Sequence, residues 1–201
     1  MADKRFNIDN EIIPRLSEEY RIHQCIRIHN LISEKLLKEI VNKVNAVEFQ
    51  PKIEDRGEIR QEFGKLLWVP THDKLITIFN FIFNSPQLFE YVEAITDCLP
   101  IQNFTGRIHR SQEGMGHEIG WHGDNSDNRI LALTINLGSE DYTGGRFQIR
   151  KKNDTQILCE YEQINQGDVL LFKISPELEH RLTVIETGIR TVGVGWFRRF
   201  D

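Results

Sequence analysis

Residues 118–138, with the sequence EIGWHGDNSDNRILALTINLG, hold two short alternating segments on either side of an Asn-rich break. In 118–124 and 129–138 the apolar side chains recur at every second position, which is typical of β-strands with one buried face. The pattern continues along the second half of the chain. Further strands are predicted there over 101–109, 145–151, 156–163, 168–174, 179–186 and 189–198. Turn-forming breaks separate these segments, and such a series favours a barrel or two-sheet sandwich over a parallel sheet.

The first hundred residues predict a helical layer with one leading strand. Residues 21–31 place Ile22, Ile26 and Ile28 on one face of that strand, with His23 and His29 on the other, at the surface. Helices are predicted after Ser33 as N-cap, over 73–83, and over 86–99 with Pro86 at the first helical position. Residues 1–20 predict a loose or short helical lead-in, and the charge-rich residues 50–64 predict a surface loop.

Aromatic residues of the predicted helices favour a core packed against a sheet. The phenylalanines concerned are Phe79, Phe81, Phe83 and Phe89. With no linker or repeat in the sequence, we expect one domain over 1–201, in which 1–100 support a core formed by 101–201.

Composition excludes several classes of protein. Of the 201 residues, 39% are hydrophobic and 27% are charged, and the formal net charge of -5 disfavours binding to nucleic acid or to anionic membranes. The first residues lack the apolar core of a secretory signal, and no segment has the roughly 18 apolar residues that cross a bilayer. Three scattered cysteines favour reduced thiols over a disulfide framework. A cytoplasmic protein without nucleic-acid or membrane partners is expected.

His122 and Asp124 are the first candidates for a functional site, because they share one face of the predicted strand 118–124. An imidazole and a carboxylate at this spacing suit a metal ion, and His180 is a candidate third ligand. Three protein ligands on one face leave positions open for a chelating cosubstrate and dioxygen, as in non-haem Fe(II) oxygenases.

An arginine follows at a spacing that suits a small dianion. We predict a hairpin turn at 186–188, in which Ile185 pairs with Ile189. His180, Arg190 and Trp196 would then face the same way, with Arg190 about 13 Å from the metal site along the strand. The guanidinium binds a carboxylate through two parallel hydrogen bonds.

These residues resemble the Fe(II)/2-oxoglutarate-dependent dioxygenases, within the prolyl 4-hydroxylase-like branch. Further stretches are similar to that branch in order and spacing: CIRIHNLISEKLLKEIVNKVN (25–45), RILALTINL (129–137), YTGGRFQI (142–149) and NQGDVLLFKISPELEHRLTVIETGIRTVGVGWF (165–197). The resemblance covers about residues 21–49 and 101–200. It implies a double-stranded β-helix (jelly roll), mainly β within an α+β class, with N-terminal supporting helices.

The resemblance also implies roles for single residues. His122, Asp124 and His180 would bind Fe(II), and Arg190 would bind the distal carboxylate of 2-oxoglutarate. Trp196 matches a tryptophan that lines the cosubstrate pocket, and Thr134 and Asn136 occupy inward positions of the strand after the HxD pair. One departure concerns a tyrosine that usually contacts 2-oxoglutarate upstream of HxD. Here that region reads IHRSQEGMGHEIG, which offers His109, Arg110 or Gln112 as substitutes.

The implied activity is hydroxylation of an unactivated C–H bond, with release of succinate and CO2. The substrate class includes a prolyl or other side chain of a protein or peptide, a free amino acid or a natural product, and ascorbate is an additional expected cofactor. Asp124 disfavours halogenation, since halogenating relatives lack this carboxylate. Two alternatives are a nucleic-acid demethylase of the same superfamily, which has an arginine where this chain has Trp196, and a non-catalytic metal-binding jelly-roll module.

Overall fold

A computed structural model describes residues 4–51, 66–126 and 128–200. The helices, after a 3-10 turn at Asn10–Ile12, are α1 (Ile13–His23), α2 (Glu34–Ala46), α3 (Lys74–Phe83) and α4 (Pro86–Thr96). The strands are β1 (Cys25–Ile28), β2 (Gln50–Pro51), β3 (Leu67–Trp68), β4 (Ile101–Gln112), β5 (Ile119–His122), β6 (Arg129–Asn136), β7 (Tyr142–Gly144), β8 (Phe147–Lys151), β9 (Ile157–Tyr161), β10 (Val169–Lys173), β11 (Leu178–Leu182) and β12 (Ile185–Arg199).

The strands form two antiparallel sheets that face each other. The major sheet has the order β1-β10-β6-β12-β4-β3-β2, with β7 paired to one end of β12, and the minor sheet has the order β5-β11-β8-β9. Apolar side chains from both sheets meet in the space between them, among them Ala132, Phe147 and Phe172. This arrangement confirms the mainly β, two-sheet jelly-roll prediction.

The helices cover the outer face of the major sheet. Strand β6 shows why, because Leu131, Leu133 and Ile135 point into the helical core while Ala132 points to the minor sheet. With both faces buried, this strand reads as a nearly continuous apolar run. The helical layer therefore closes one side of the barrel and leaves the inter-sheet space for a site.

Local capping explains where the predicted helices begin. The Asp73 side chain accepts a hydrogen bond from the Leu75 N–H, and Ser85 accepts one from the Leu88 N–H with Pro86 at the first helical position. Buried Phe79 and Phe83 and partly buried Phe89 confirm the predicted aromatic core. Phe81 was placed in that core wrongly, since it is 71% exposed on α3.

Two predictions for the first half are wrong. The strand predicted over 21–31 begins only at Cys25, because α1 continues to His23 and Gln24 ends it with a left-handed backbone (φ 57°). Ile22 is consequently exposed, while His23 and His29 are exposed as predicted. The prediction of a single strand in residues 1–100 is also wrong, since β2 and β3 extend the edge of the major sheet beyond β4.

The predicted hairpin around 186–188 is also wrong. Ile185 pairs with Gly144 and Gly188 with Tyr142, both on β7, while Ile189 pairs with Gln112 on β4. Strands β11 and β12 belong to different sheets, so the chain crosses from one sheet to the other between them. Most of the predicted loop 50–64 lies outside the described residues. Within the described ranges, no helix has the length and apolarity needed to span a membrane.

Candidate active site

Three side chains converge in the space between the sheets. His122 ends β5, Asp124 follows it by two residues, and His180 lies on β11 directly opposite His122 in the strand register. One donor atom from each lies within 4.8 Å of the others. The Nε2 atoms of His122 and His180 lie 4.0 and 3.7 Å from the Asp124 carboxylate oxygens. The structure thus brings together all three predicted metal-binding residues.

Both histidines direct Nε2 toward this centre. The Nδ1 of His122 lies 2.8 Å from the Gly120 carbonyl oxygen, so the proton resides on Nδ1 and Nε2 is left to coordinate. Burial and the neighbouring His122 lower the pKa of His180 to about 3, although Asp124 opposes the shift. His180 is therefore a neutral imidazole at physiological pH, the form that binds metals.

Trp196 orients the carboxylate of the cluster. Its indole N–H donates a 2.7 Å hydrogen bond to Oδ2 of Asp124. The Arg129 guanidinium stacks over the indole at 4.1 Å and reaches within 3.8 Å of the other carboxylate oxygen. Because β12 carries Trp196 from the major sheet, this contact ties the two sheets together at the site.

Arg190 lies on the same interior face of β12, six residues before Trp196. It is 4% exposed, and burial lowers its pKa while contact with Tyr142 raises it. The guanidinium passes close to the Gly144–Gly145 turn, where a Cβ at Gly145 would lie 3.4 Å from its Cδ. Predicted from spacing as a cosubstrate anchor, Arg190 is a buried cation in the inter-sheet space.

Thr134 and Asn136 occupy the inward positions of β6 that the sequence predicted. Thr134 is 6% exposed and lies opposite Leu170 and Val194 in the register. The Asn136 amide is engaged by the backbone, because it donates to the Ile164 carbonyl at 2.7 Å and accepts from the Gly138 N–H at 3.0 Å. The Asn136 side chain is thus held by hydrogen bonds to the backbone that are not seen for Thr134.

Of the three candidates upstream of His122, namely His109, Arg110 and Gln112, the structure turns His109 inward. Strand alternation turns His109 and Ser111 into the site, at 3% and 0% exposure. Arg110 faces away, stacks over the Phe49 ring at 4.0 Å and bonds to Thr191. Ser111, which pairs with Arg190 in the register, was missed. The alternation of side chains along β4 could have identified it, because Ser111 lies two residues from His109 and therefore points to the same face.

Comparison with known proteins identifies a domain in the strand-rich half of the chain. Residues 106–198 match the sequence profile described as the 2OG-Fe(II) oxygenase superfamily, where 2OG is 2-oxoglutarate. This stretch, slightly under half of the chain, is therefore a 2OG-Fe(II) oxygenase domain. A search of curated protein sequences found no match to this chain.

Solved structures share the fold of this oxygenase at low sequence identity. A 2OG-Fe(II) oxygenase-family oxidoreductase from Burkholderia pseudomallei has 13% identity and a TM-score of 0.70, covering 100% of this chain and 98% of its own. A prolyl-4-hydroxylase from Pseudomonas putida has 16% identity and a TM-score of 0.64, with 94% and 100% covered. A prolyl hydroxylase from Trichoplax adhaerens, in complex with a hypoxia inducible factor peptide fragment, has 13% identity and a TM-score of 0.62, with 98% and 96% covered.

The residues present fit the cofactor that the superfamily implies. Two imidazoles and one carboxylate, all offered from one side, are the donor set of a non-haem Fe(II) centre with open positions. A buried guanidinium in the same space suits the second carboxylate of 2-oxoglutarate. The oxygenase is thus a 2OG-dependent dioxygenase, with Fe(II) as its metal and 2-oxoglutarate as its cosubstrate.

Proposed function

We propose that the protein hydroxylates an unactivated C–H bond of a prolyl or other amino-acid-type substrate. One oxygen atom of O2 enters the new C–OH group, and the other enters succinate as 2-oxoglutarate loses CO2. The observation that carries the proposal is the convergence of His122, Asp124 and His180 within 4.8 Å in the inter-sheet space. Iron bound there supplies the oxidising chemistry, while the protein fixes the ligands and excludes water.

Each residue then has a distinct task. His122, Asp124 and His180 hold Fe(II) from one side, and the carboxylate of Asp124 occupies the position that a halide needs in halogenating relatives. Arg190 binds the distal carboxylate of 2-oxoglutarate, since a buried guanidinium stays charged and offers a planar pair of donors. Trp196 acts through Asp124 by holding Oδ2 at 2.7 Å.

A cavity close to Trp196 is our candidate for substrate entry. It has a volume of about 200 Å³, and Trp68, Pro70, His72 and Arg107 contribute to its walls. Arg107 also stacks over Trp196 at 5.4 Å, so the cavity lies next to the residue that supports the metal ligand. An amino-acid-type substrate agrees with the prolyl hydroxylase folds, one of which was solved with a peptide fragment.

We also propose that residues 1–201 act as one domain. One continuous core contains Leu16 and Phe79 from the helices together with Leu133 and Phe197 from the strands. The helical half and the strand half therefore share the same buried apolar surface, and neither is expected to fold alone.

Anaerobic titration tests the proposed function. Adding Fe(II) and then 2-oxoglutarate to the protein should give a weak metal-to-ligand charge-transfer band in the visible. His180→Ala should abolish metal binding. Arg190→Ala should spare the metal and weaken 2-oxoglutarate binding by about 100-fold, as expected for a lost charge-assisted pair.

Controls separate the two sites. Arg190→Lys keeps the positive charge without the planar fork, so its affinity for 2-oxoglutarate should lie between wild type and Arg190→Ala. The proposal fails if wild-type protein gives no such band and forms no succinate with peptide and metabolite libraries. Unchanged 2-oxoglutarate affinity in Arg190→Ala would reject the assignment of Arg190.

A further inference from the structure

Three buried polar atoms near Arg190 lack hydrogen-bond partners among the described residues. They are Nδ1 of His109, Oγ of Ser111 and Nε of Arg190. Leaving a buried polar group unpaired is energetically unfavourable, so unpaired groups are rare and call for an explanation. Three of them on neighbouring positions indicate a ligand that supplies what the protein does not.

The strand register brings these groups together. Ser111 on β4 lies directly opposite Arg190 on β12, and His109 lies opposite Val192, two residues along. Directly opposed side chains in an antiparallel pair have Cβ atoms about 5 Å apart, and diagonal neighbours are about 7 Å apart. All three side chains are at most 4% exposed, so the cluster lies inside the sheet sandwich and is shielded from bulk water.

The chemistry of the cluster matches a carboxylate. Arg190 Nε and the Ser111 hydroxyl are donors, and a neutral imidazole donates from Nδ1 when its proton resides there. Burial, and next the charges of Arg190 and Arg107, lower the pKa of His109 to about 3, so its ring is neutral. The cluster then carries a net positive charge from the arginines. An ionised carboxylate, which only accepts hydrogen bonds, can satisfy all three donors.

We propose that His109 and Ser111 complete the binding site for the distal carboxylate of 2-oxoglutarate beside Arg190. This inference rests on the proposed function and extends it to two residues of β4 that select the cosubstrate. The Trp68 ring, 4.9 Å from the His109 ring, holds the imidazole in place.

Two variants test the proposal by binding rather than by turnover. Ser111→Ala removes the hydroxyl, and His109→Phe keeps a ring against Trp68 but removes both nitrogens. Affinity is measured anaerobically with Fe(II), from the charge-transfer band, for 2-oxoglutarate and for 2-oxopentanoate, which has the same chain length without the distal carboxylate. Each variant should bind 2-oxoglutarate about 10-fold more weakly and 2-oxopentanoate within twofold of wild type.

Matched controls identify a merely structural effect. Thr191→Val removes a buried hydroxyl from the opposite face of the sheet, where it bonds to Arg110, and should leave both affinities unchanged. His109→Asn returns a side-chain N–H close to the position of Nδ1 and should recover part of the affinity. Without ligand, Ser111→Ala should unfold at a temperature no lower than wild type, since it removes an unpaired buried group.

The outcomes are separable. If wild type binds 2-oxoglutarate and both variants bind it equally well, the inference is overturned while the proposed function stands. Equal weakening of both oxo acids also overturns it, because the residues would then act on the metal end or on folding. If wild type binds neither acid in the presence of Fe(II), the proposed function fails and this inference fails with it.

Discussion

The indole of Trp196 supports a metal ligand without contacting the metal itself. Its N–H holds Oδ2 of Asp124 at 2.7 Å. Trp196→Phe should therefore weaken Fe(II) or Mn(II) binding by about 10- to 100-fold, the usual effect of losing such a support, with a small change in stability. Metal titration and thermal unfolding measure the two effects.

A second tryptophan provides the control for this prediction. Trp121 neighbours His122 in sequence, but its ring is held between the Arg150 and Arg181 guanidiniums at 3.9 and 4.7 Å. Trp121→Phe keeps an aromatic ring in that stack and should leave metal affinity close to wild type. A similar loss of affinity in both variants would mean that the Asp124 hydrogen bond is not the cause.

At the residue scale, the sequence was enough to predict the charged and metal-binding residues of the site. It did not predict Ser111, whose place in the site depends on how the strands pair. His122, Asp124, His180 and Arg190 carry charge or a metal-binding nitrogen at a recognisable spacing. Ser111 is a small polar residue that has no such signature. Only its register opposite Arg190 and its complete burial distinguish it, and both depend on which strand pairs with which.

At the scale of elements, the Gly144–Gly145 turn shapes the neighbourhood of Arg190. Gly144 has φ +71°, and a Cβ there would lie 2.3 Å from the Val184 carbonyl oxygen. Gly144→Ala should thus lower the free energy of unfolding by at least about 2 kcal/mol, from backbone strain and the clash together. Urea denaturation measures the change.

Gly114 is a matched control for that substitution. Its φ is also left-handed at +72°, but no atom lies within 4 Å of the added Cβ. Gly114→Ala should lower the free energy of unfolding by only about 1 kcal/mol, because the left-handed backbone is its sole source of strain. Equal losses in the two variants would show that the close approach to Val184 has no energetic effect.

The misplaced hairpin shows why element pairing is harder to predict than element position. Two strands were predicted over 179–186 and 189–198, whereas β11 ends at Leu182 and β12 begins at Ile185. Gly188 has the positive φ of a turn glycine but lies inside β12. The short polar segment 186–188 suggested that the two predicted strands on either side of it pair with each other. In a jelly roll, consecutive strands often belong to opposite sheets, and the partners of β12 come from β4, β6 and β7, which local sequence does not specify.

For the molecule as a whole, the buried neutral His109 predicts a dependence of stability on pH. Its folded-state pKa of about 3 lies below the unfolded value of about 6.5, so the unfolded state binds a proton between these values and the folded state does not. Stability must fall as the pH drops through 6.5. Between pH 7.5 and 5.5 this single group should cost about 1.4 kcal/mol.

Urea unfolding of wild type and His109→Phe at both pH values isolates this contribution. The variant should lose less stability on acidification by about that amount, because it cannot bind the proton when unfolded. An identical pH dependence in the two proteins would show that His109 is protonated, or solvated, in the folded state.

The position of β5 at the edge of the minor sheet has a consequence for how the protein exchanges its metal. Within the described residues β5 pairs with β11 alone, whereas β12 is held by strands on both sides. Local opening of an edge strand needs far less free energy than global unfolding. His122 and Asp124 can therefore detach while Arg190, Trp196 and His180 keep their places. We therefore expect metal exchange to depend on local opening of β5, while Arg190 on β12 keeps its position.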